Sequence, residues 1–182
     1  MPATKIMVIR HAEKPTGSDD GVLPTGKRNA DSLIVRGWQR AGGLATLFAP
    51  SRGPLQGAHL ATPAFLYASK TDARKHSHRP YQTLVPLAAK LGLTINDAFK
   101  KDEYELMLLD AGAREGTVLI AWQHEFIPQI GNTITGNDST VPQKWPSSRF
   151  DVVWVFTRHA KDYAFAQVPQ LLLAGDEEEG IG

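Results

Sequence analysis

Short apolar runs recur along the chain, each bounded by polar or glycine-containing segments. The runs at 6–9, 64–69 and 117–124 are too short for helices and contain β-branched or aromatic residues, which predicts buried strands. Further along, the segments 149–156 and 163–173 have the same character and are separated by the short polar stretch TRHAKD. This arrangement predicts two more strands joined by a tight turn.

Two of the intervening segments carry apolar residues at helical spacing. In 35–50 the apolar residues recur every three to four positions, which predicts an α-helix. The same period continues through 78–93, where Pro80 lies near the first turn and Gly92 follows the last periodic residue; both placements are typical of helix ends. Pro86 lies inside this second pattern and is expected to kink the helix, because proline lacks an N–H and crowds the preceding turn.

The alternation of strands and helices, followed by a strand pair, predicts an α/β sandwich with a mostly parallel central sheet and an antiparallel edge. The polar segments 12–36 and 131–150 are expected to be loops, with Trp145 exposed at an interface or in a lid. The acidic tail 176–182 is expected to be solvated and frayed. No repeat, low-complexity block or linker interrupts the pattern, so residues 1–182 are interpreted as one domain.

Composition narrows the possible functions. A chain of 182 residues with 42% hydrophobic and 21% charged residues can bury a sizeable core. Its net charge of +1 is spread along the sequence, which argues against nucleic acid as a partner. The absence of cysteine excludes disulfides and thiol chemistry and is compatible with a reducing compartment. No stretch has the length of a membrane span or the pattern of a signal peptide, so we expect a cytoplasmic protein without a membrane partner.

Basic side chains occur where the predicted strands end. Arg10 and His11 close the first strand, and His124 closes the strand at 117–124. Arg79 opens the helix that follows the second strand. Ligands of open α/β sheets bind outside the carboxyl ends of the strands, and a helix N-terminus there also favours anions. Two arginines and two histidines at this edge predict a phosphate site, because guanidinium groups match phosphate oxygens in geometry and charge.

Four motifs follow one another along nearly the whole chain: IRHAEKP, RGWQRA, RPYQT and LIAWQHE. In this order they resemble the histidine phosphatase superfamily, also called phosphoglycerate mutase-like proteins. The resemblance implies a three-layer α/β/α sandwich. It also implies that His11 is the nucleophile, that Arg10, Arg79 and His124 bind the phosphoryl group, and that neither a metal nor another cofactor is required.

The chemistry explains these residue types. A neutral imidazole nitrogen can attack phosphorus to form a phosphohistidine, while the cationic side chains stabilise the charge of the transition state. The leaving oxygen needs a proton from a carboxylic acid. Relatives place this acid either directly after the second histidine, here Glu125, or well after the second arginine, here Glu103 or Glu105. We take Glu125 as the acid and keep the other two as alternatives.

Neighbouring residues extend the candidate site. Lys14 and Thr16 lie in the loop after the proposed nucleophile and are candidates for substrate binding, although a solvated loop lysine is the alternative interpretation. Arg74 competes with Arg79 as the second arginine. Trp38, in the motif RGWQRA, is expected to pack in the core rather than to contact a ligand.

Other chemistries fit the sequence less well. A second RHA occurs at 158–160, but it lies in the predicted turn, so His159 is not expected to be the nucleophile. The stretch HEFIP has Pro128 where the zinc protease motif H-E-x-x-H requires histidine. His76 and His78 have no carboxylate nearby and form a weak metal motif. Neither a G-x-S-x-G elbow nor a P-loop is present.

The sequence therefore predicts a metal-independent phosphomonoesterase that forms a phosphohistidine and acts on a small phosphorylated substrate. A phosphohistidine protein phosphatase and a phosphomutase are alternatives within the same chemistry. A non-catalytic phosphate-binding module is the alternative of another class, because the acid is unsettled and the residue after His124 is not small, as it is in many relatives. Oligomeric state is left open.

Overall fold

A central six-stranded sheet organises the fold. The computed structural model describes residues 3–71 and 78–182. The strands are β1 (Lys5–Arg10), β2 (Phe65–Ala68), β3 (Ile95–Asn96), β4 (Thr117–Trp122), β5 (Val152–His159) and β6 (Asp162–Pro169). The helices are α1 (Val35–Phe48), α2 (Arg79–Leu91), α3 (Tyr104–Gly112) and α4 (Ile127–Thr135).

The strand order is β3-β2-β4-β1-β5-β6. β1 pairs parallel with β4, and β2 pairs parallel with both β3 and β4. β5 is antiparallel to β1, and the hairpin β5–β6 continues antiparallel pairing to one edge. The predicted mostly parallel sheet with an antiparallel edge is therefore confirmed. Because β1 and β4 are adjacent and parallel, their carboxyl ends lie side by side, with Arg10 opposite Trp122.

Each strand in the middle of the sheet is buried on both faces, because its side chains alternate between two cores. Ile6 and Val8 of β1 pack in the core that holds α3 and α4. Met7 and Ile9 pack in the opposite core, with α1 and α2. This arrangement explains why the run at 6–9 is continuously apolar, and it gives the three layers of an α/β/α sandwich.

The helix ends follow from sequence signals. Pro80 lies in the first turn of α2, where a missing N–H costs nothing, and Gly92 takes the left-handed conformation that ends the helix, with φ of 66°. α2 runs through Pro86 from Arg79 to Leu91 without a break. Among the described residues, no helix has the length and apolar character needed to cross a bilayer.

Several sequence predictions were incomplete or wrong. The short edge strand β3 and the helix α3 were not predicted, and α4 occupies the start of the segment 131–150 that was expected to be a loop. Trp145 is not exposed: it is buried, packs against Trp154 at 5.1 Å between ring centroids, and donates its indole N–H to the carbonyl of Arg149. The residues between α4 and β5 therefore form an ordered, partly buried segment.

The acidic tail is also not frayed. Ile181 is buried, and its backbone N–H and carbonyl both hydrogen bond to the side chain of Gln167. The side chains of Asp176 and Glu177 bind buried arginines. The charge pattern of the tail predicted a solvated segment, because the sequence alone does not show that buried arginines bind its carboxylates.

Candidate active site

Backbone hydrogen bonds bring the first and last motifs together at the carboxyl edge of the sheet. β1 ends at Arg10, and the N–H of His11 donates to the carbonyl of Trp122 at 3.0 Å. His124 follows Trp122 by two residues. The parallel register of β1 and β4 thus places Arg10, His11 and His124 on one edge, as the sequence predicted for strand ends.

Arg10 is held by backbone oxygens and by an aromatic ring. It is 1% exposed, and its Nη1 donates to the carbonyls of Ser147 at 2.6 Å and Arg149 at 3.0 Å. Its guanidinium carbon lies 3.7 Å from the centre of the Phe150 ring. Burial lowers the pKa of Arg10 to about 10, while Glu125 and Glu13 act to raise it. The group therefore carries its charge at neutral pH.

His11 is buried, and burial is the main reason that its pKa falls to about 3. The Ala12 carbonyl, the second-largest influence, acts to raise this pKa, while repulsion from Arg10, Arg79 and Lys14 lowers it further. Nδ1 lies 2.8 Å from that carbonyl. A carbonyl oxygen only accepts, so in the neutral ring Nδ1 carries the hydrogen and Nε2 carries the lone pair. His11 thus has the protonation state of a nucleophile.

Helix α2 fixes the backbone after His11. The hydroxyl of Thr83 accepts a hydrogen bond from the N–H of Ala12 at 2.8 Å and donates to the carbonyl of Arg79 at 2.7 Å. Arg79 donates from Nη2 to the carbonyl of Ala30 and from Nε to that of Ser32. Burial lowers the pKa of Arg79, which Asp31 opposes. The first turn of α2 therefore lies beside the backbone that follows His11.

His124 and Glu125 form the other side of the site. Nδ1 of His124 lies 3.1 Å from a carboxylate oxygen of Glu125, but this contact lacks the geometry of a hydrogen bond, and Nδ1 is buried without a hydrogen-bond partner among the described residues. Burial and the charge of Arg10 lower the pKa of His124, while Glu125 acts to raise it. Glu125 is half exposed and also pairs with Lys101 at 3.6 Å.

The three candidate acids differ in their surroundings. Glu125 influences both Arg10 and His124 electrostatically. Glu103 precedes α3, where its carboxylate accepts the N–H of Lys100 at 2.9 Å and pairs with the Lys100 side chain. Glu105 lies on the exposed side of the first turn of α3. Of the three, only Glu125 has a described contact with one of the sheet-edge histidines, His124.

The remaining sequence candidates are spread more widely. Lys14 lies near enough to lower the pKa of both His11 and His124, which places it beside the proposed phosphate site. Thr16 is exposed, and among the described contacts it takes part only in a turn, through its carbonyl and the N–H of Asp19. Arg74 lies outside the described residues and gives no comparison with Arg79.

Three further histidines, His76, His78 and His159, were considered for other chemistry. His76 lies outside the described residues, while the ring of His78 contacts the hydroxyl of Thr71 at 3.2 Å. The described residues contain no group of three or more His, Asp or Glu side chains arranged for a metal ion. His159 ends β5, in the register opposite Asp162, at the hairpin turn. This turn lies away from the carboxyl end of β1, since Arg158 pairs with Thr4.

Several residues that support the candidate site were not predicted from the sequence. Thr83, Glu13 and Arg40 lie within the four motifs, but no role was predicted for them. The feature that could have indicated a role is a polar side chain on an otherwise buried surface. Arg40 is buried and donates from Nε and Nη2 to a carboxylate oxygen of Glu13. Phe150, the residue stacked on Arg10, had no recognisable sequence signal. Trp38 packs with Ala12, Leu33 and Ala41, as expected.

Unpaired polar atoms are concentrated at this edge of the sheet. Within residues 3–71 and 78–182, every buried side-chain nitrogen or oxygen without a hydrogen-bond partner belongs to a residue at or just after the end of β1 or β4. They are Nε and Nη2 of Arg10, Oε2 of Glu13, Oε1 of Gln123 and Nδ1 of His124. Each such atom costs about 1–3 kcal/mol, which a folded protein tolerates where the atom serves a ligand. Two of the donors belong to a buried arginine, which matches an oxyanion.

The similarity of this chain to known proteins is a similarity of structure. No family model matches the chain, and no curated protein does. Solved structures match over most of its length. A mutant phosphoserine phosphatase from Entamoeba histolytica, in complex with phosphoserine, is 10% identical over 93% of this chain and 98% of that chain, with a TM-score of 0.54.

Two further structures show the same relationship. A mycobacterial glucosyl-3-phosphoglycerate phosphatase, in complex with VO3, is 12% identical over 90% of this chain and 97% of that chain, with a TM-score of 0.53. A protein assigned as the phosphohistidine phosphatase SixA from Agrobacterium tumefaciens is 15% identical over 90% and 96% of the two chains, with a TM-score of 0.55. At these identities the likeness shows a shared fold: the chain has the three-layer, phosphoglycerate mutase-like α/β/α architecture that its resemblance implied.

Proposed function

We propose that this protein is a phosphomonoesterase that works through a phosphohistidine on His11 and needs no metal ion. The observation that carries the proposal is the buried guanidinium of Arg10, which has two unpaired donors beside a neutral, buried histidine. A phosphoryl group would accept from Nε and Nη2 of Arg10 while its phosphorus faces Nε2 of His11. The orphaned Nδ1 of His124 supports a further contact to the same group when that ring is oriented as a donor.

The proposed reaction has two steps. In the first, the lone pair on Nε2 of His11 forms a bond to phosphorus, and the bond from phosphorus to the ester oxygen breaks. The hydrogen on Nδ1 stays with the ring, where the carbonyl of Ala12 stabilises the positive charge that develops. In the second, water attacks phosphorus, the N–P bond breaks, and inorganic phosphate leaves His11 neutral again. Arg10 and Arg79 stabilise the equatorial oxygens in both steps.

Glu125 supplies and removes the proton in this scheme. Its carboxylic acid gives a proton to the leaving oxygen in the first step, and the carboxylate takes one from the attacking water in the second. Proximity supports this assignment, because Glu125 lies against His124 and within the electrostatic reach of Arg10. Glu103 is engaged by Lys100 and is the less favoured candidate.

The substrate is proposed as a class only. The three proteins compared above are described as phosphatases for phosphoserine, for glucosyl-3-phosphoglycerate and for phosphohistidine, so this fold serves chemically different phosphorylated substrates. We favour a small phosphorylated metabolite. Lys14 at the edge of the site would add a contact to an anionic substrate beyond the phosphoryl group. A phosphohistidine protein and a mutase reaction are alternatives that substrate screening separates.

The test is hydrolysis of p-nitrophenyl phosphate with excess chelator, for the wild type and for His11→Ala. We expect chelator-resistant turnover that falls at least 1,000-fold in the variant, because the nucleophile is lost. The matched control is His159→Ala, which removes the histidine of the second RHA at the exposed hairpin and should retain wild-type turnover. Alkaline quenching and mass spectrometry should locate covalent phosphate on His11.

Other results would overturn the proposal. Turnover that survives in His11→Ala, or covalent phosphate on another residue, would contradict the nucleophile. Activity that chelator abolishes would contradict metal independence. A folded wild type that binds inorganic phosphate by calorimetry but hydrolyses no phosphate ester would indicate the binding module instead.

A further inference from the structure

Residues 170–181 form a segment that contacts two buried arginines next to the candidate site, Arg40 and Arg149; we name it the C-terminal hook. The hook begins at Gln170, which is buried and whose N–H donates to the carbonyl of Asp151. The next residue, Leu171, is an exposed leucine with φ of 49°. A bulky residue in the left-handed region is strained, and such strain persists only where surrounding contacts impose it.

Asp176 holds the hook together and connects it to Arg40. One carboxylate oxygen accepts the N–H groups of Leu172 and Leu173 at 2.8 and 3.1 Å. The same carboxylate accepts Nη1 and Nη2 of Arg40 at 3.1 and 2.7 Å. The side chains of Arg40 and Asp176 are each only 3% exposed, so this is a buried, bidentate ion pair.

Arg40 passes this restraint to the loop after the nucleophile. Its Nε and Nη2 donate to Oε1 of Glu13 at 3.0 and 2.8 Å. Glu13 lies two residues after His11 and also accepts the N–H of Ile34 with its carbonyl. Burial alone lowers the pKa of Arg40, but the hydrogen bonds to Asp176 and Glu13 outweigh it and raise that pKa. A single guanidinium thus ties the hook to the loop of His11.

A second buried arginine connects the hook to Arg10. Arg149 donates from Nη1 to the carboxylate of Glu177 and from Nη2 to the carbonyl of Glu179, both at 2.7 Å. Its Nε donates to Asp151. The backbone carbonyl of Arg149 accepts a hydrogen bond from Nη1 of Arg10 at 3.0 Å. The hook therefore supports the backbone oxygen that orients the arginine of the proposed phosphate site.

These contacts have one common consequence. The Arg10 guanidinium and the His11 loop are each restrained by a buried arginine. Each of these arginines pairs with one acidic residue of the hook, Asp176 for Arg40 and Glu177 for Arg149, and with one carboxylate outside it, Glu13 or Asp151. A buried arginine that loses one of its two carboxylate partners is destabilised, and it will turn towards the partner that remains. Loss of the hook would therefore misplace both groups at once, although none of the described contacts joins a side chain of the hook to His11 or Arg10.

We propose that the C-terminal hook is a positioning element of the active site, with Asp176 as its principal positioning residue. This inference rests on the proposed function, since it assigns the hook to the same phosphoryl site. If the hook positions the site, phosphate binding and the ordering of the hook are coupled. Such coupling is reciprocal, so bound phosphate should stabilise the hook as the hook stabilises phosphate binding.

The first experiment compares Asp176→Asn with Glu178→Gln. Both remove one negative charge from the tail, but Glu178 is exposed and forms no hydrogen bond or ion pair with any described residue. At a temperature where circular dichroism shows each protein folded, Asp176→Asn should weaken binding of inorganic phosphate about tenfold and lower kcat by at least as much. It should also shift the NMR signals of the His11 imidazole. Glu178→Gln should match the wild type in all three measurements.

The second experiment needs no variant. Amide hydrogen exchange of the wild type is followed with and without saturating inorganic phosphate. The N–H groups of Leu172, Leu173 and Glu177, which bind carboxylates in or beside the hook, should exchange several-fold more slowly when phosphate is bound. The amide of Arg158, which pairs with Thr4 at the other end of the sheet, should not change.

The outcomes separate the inference from the proposed function. Phosphate binding with no slowing of the hook amides would overturn the inference, and so would a folded Asp176→Asn with wild-type phosphate affinity and His11 signals. If that variant does not fold, the exchange experiment decides. A wild type that binds phosphate without hydrolysing esters contradicts the proposed enzyme but still tests the hook. A wild type that does not bind phosphate overturns both.

Discussion

The guanidinium carbon of Arg10 lies over the ring of Phe150, 3.7 Å from its centre, so the arginine packs on an aromatic side chain. The ring also lies 6.2 Å from the imidazole of His11. Phe150 therefore covers one face of Arg10 with an apolar surface that cannot accept its hydrogen bonds. The edge of the guanidinium, with its Nε and Nη2 donors, is left for a ligand.

Replacing Phe150 by leucine tests this stacking. Phe150→Leu removes the cation–π contact and loosens Arg10, so we expect inorganic phosphate to bind about fivefold more weakly, which corresponds to about 1 kcal/mol. Calorimetric titration measures the change. Phe65→Leu is the matched control, because its ring also faces an arginine, Arg114 at 5.6 Å, but lies at the start of β2. Equal phosphate affinity in wild type and Phe150→Leu would contradict the role of the ring.

The pKa of His11 predicts a specific dependence of stability on pH. The folded protein holds this pKa at about 3, whereas an unfolded histidine has a pKa near 6.5. Between these values the unfolded chain binds a proton that the folded chain does not. The contribution is therefore fully present above about pH 6.5 and is lost as the pH falls towards 3, by up to about 1.4 kcal/mol per pH unit.

Urea denaturation between pH 4 and pH 7, in a buffer without phosphate, measures this effect. His11→Gln should lose less stability than the wild type as the pH falls, because the group that binds the extra proton on unfolding is gone. His159→Gln, at the exposed hairpin, should follow the wild-type curve. Parallel curves for the wild type and His11→Gln would show that His11 is not held neutral by burial.

Leaving-group dependence identifies the acid. Glu125→Gln should lower kcat for phenyl phosphate by roughly 100-fold or more, because phenolate leaves poorly without a proton. The loss should be much smaller with p-nitrophenyl phosphate, whose leaving group is stable as an anion. Glu103→Gln and Glu105→Gln serve as controls and should behave like the wild type with both substrates. A leaving-group-dependent loss in either control instead would transfer the role to that residue.

The hairpin between β5 and β6 offers a prediction about stability alone. Its two-residue turn places Ala160 at φ of 54°, a conformation that hairpin turns of this kind normally give to glycine. Ala160→Gly should raise the free energy of unfolding by about 0.5 kcal/mol, since relief of strain exceeds the added entropy of the unfolded chain.

Lys161→Gly is the matched control for this change. The φ of Lys161 is not positive. Glycine at this position therefore only increases the entropy of the unfolded chain and should lower the free energy of unfolding by about 0.5–1 kcal/mol. Urea titration of both variants and the wild type, at a pH where all three are folded, shows whether each change raises or lowers the free energy of unfolding. Destabilisation by Ala160→Gly would contradict the strained turn.

The sequence predicted those parts of the fold that local patterns encode. The continuous run at 6–9 indicated a strand buried on both faces, and Gly92 indicated the end of α2. The sequence did not predict β3 or α3, and its prediction of a solvated tail was wrong, because local composition misleads at short range. β3 has only two residues and exists through its pairing with β2, and α3 carries exposed leucines that hide its helical period. The tail looked solvated because its acidic residues gave no sign of their buried partners.

Within the candidate site, sequence alone determined which residues lie at the ends of β1 and β4, because strand ends and motifs are local features. Arg10, His11 and His124 were predicted on this basis to share one edge. Only the tertiary structure decided the contacts between distant segments: Phe150 on Arg10, Lys101 beside Glu125, and Asp176 on Arg40. The physical reason is that such contacts depend on how the packed layers bring remote parts of the chain together, which no window of sequence contains.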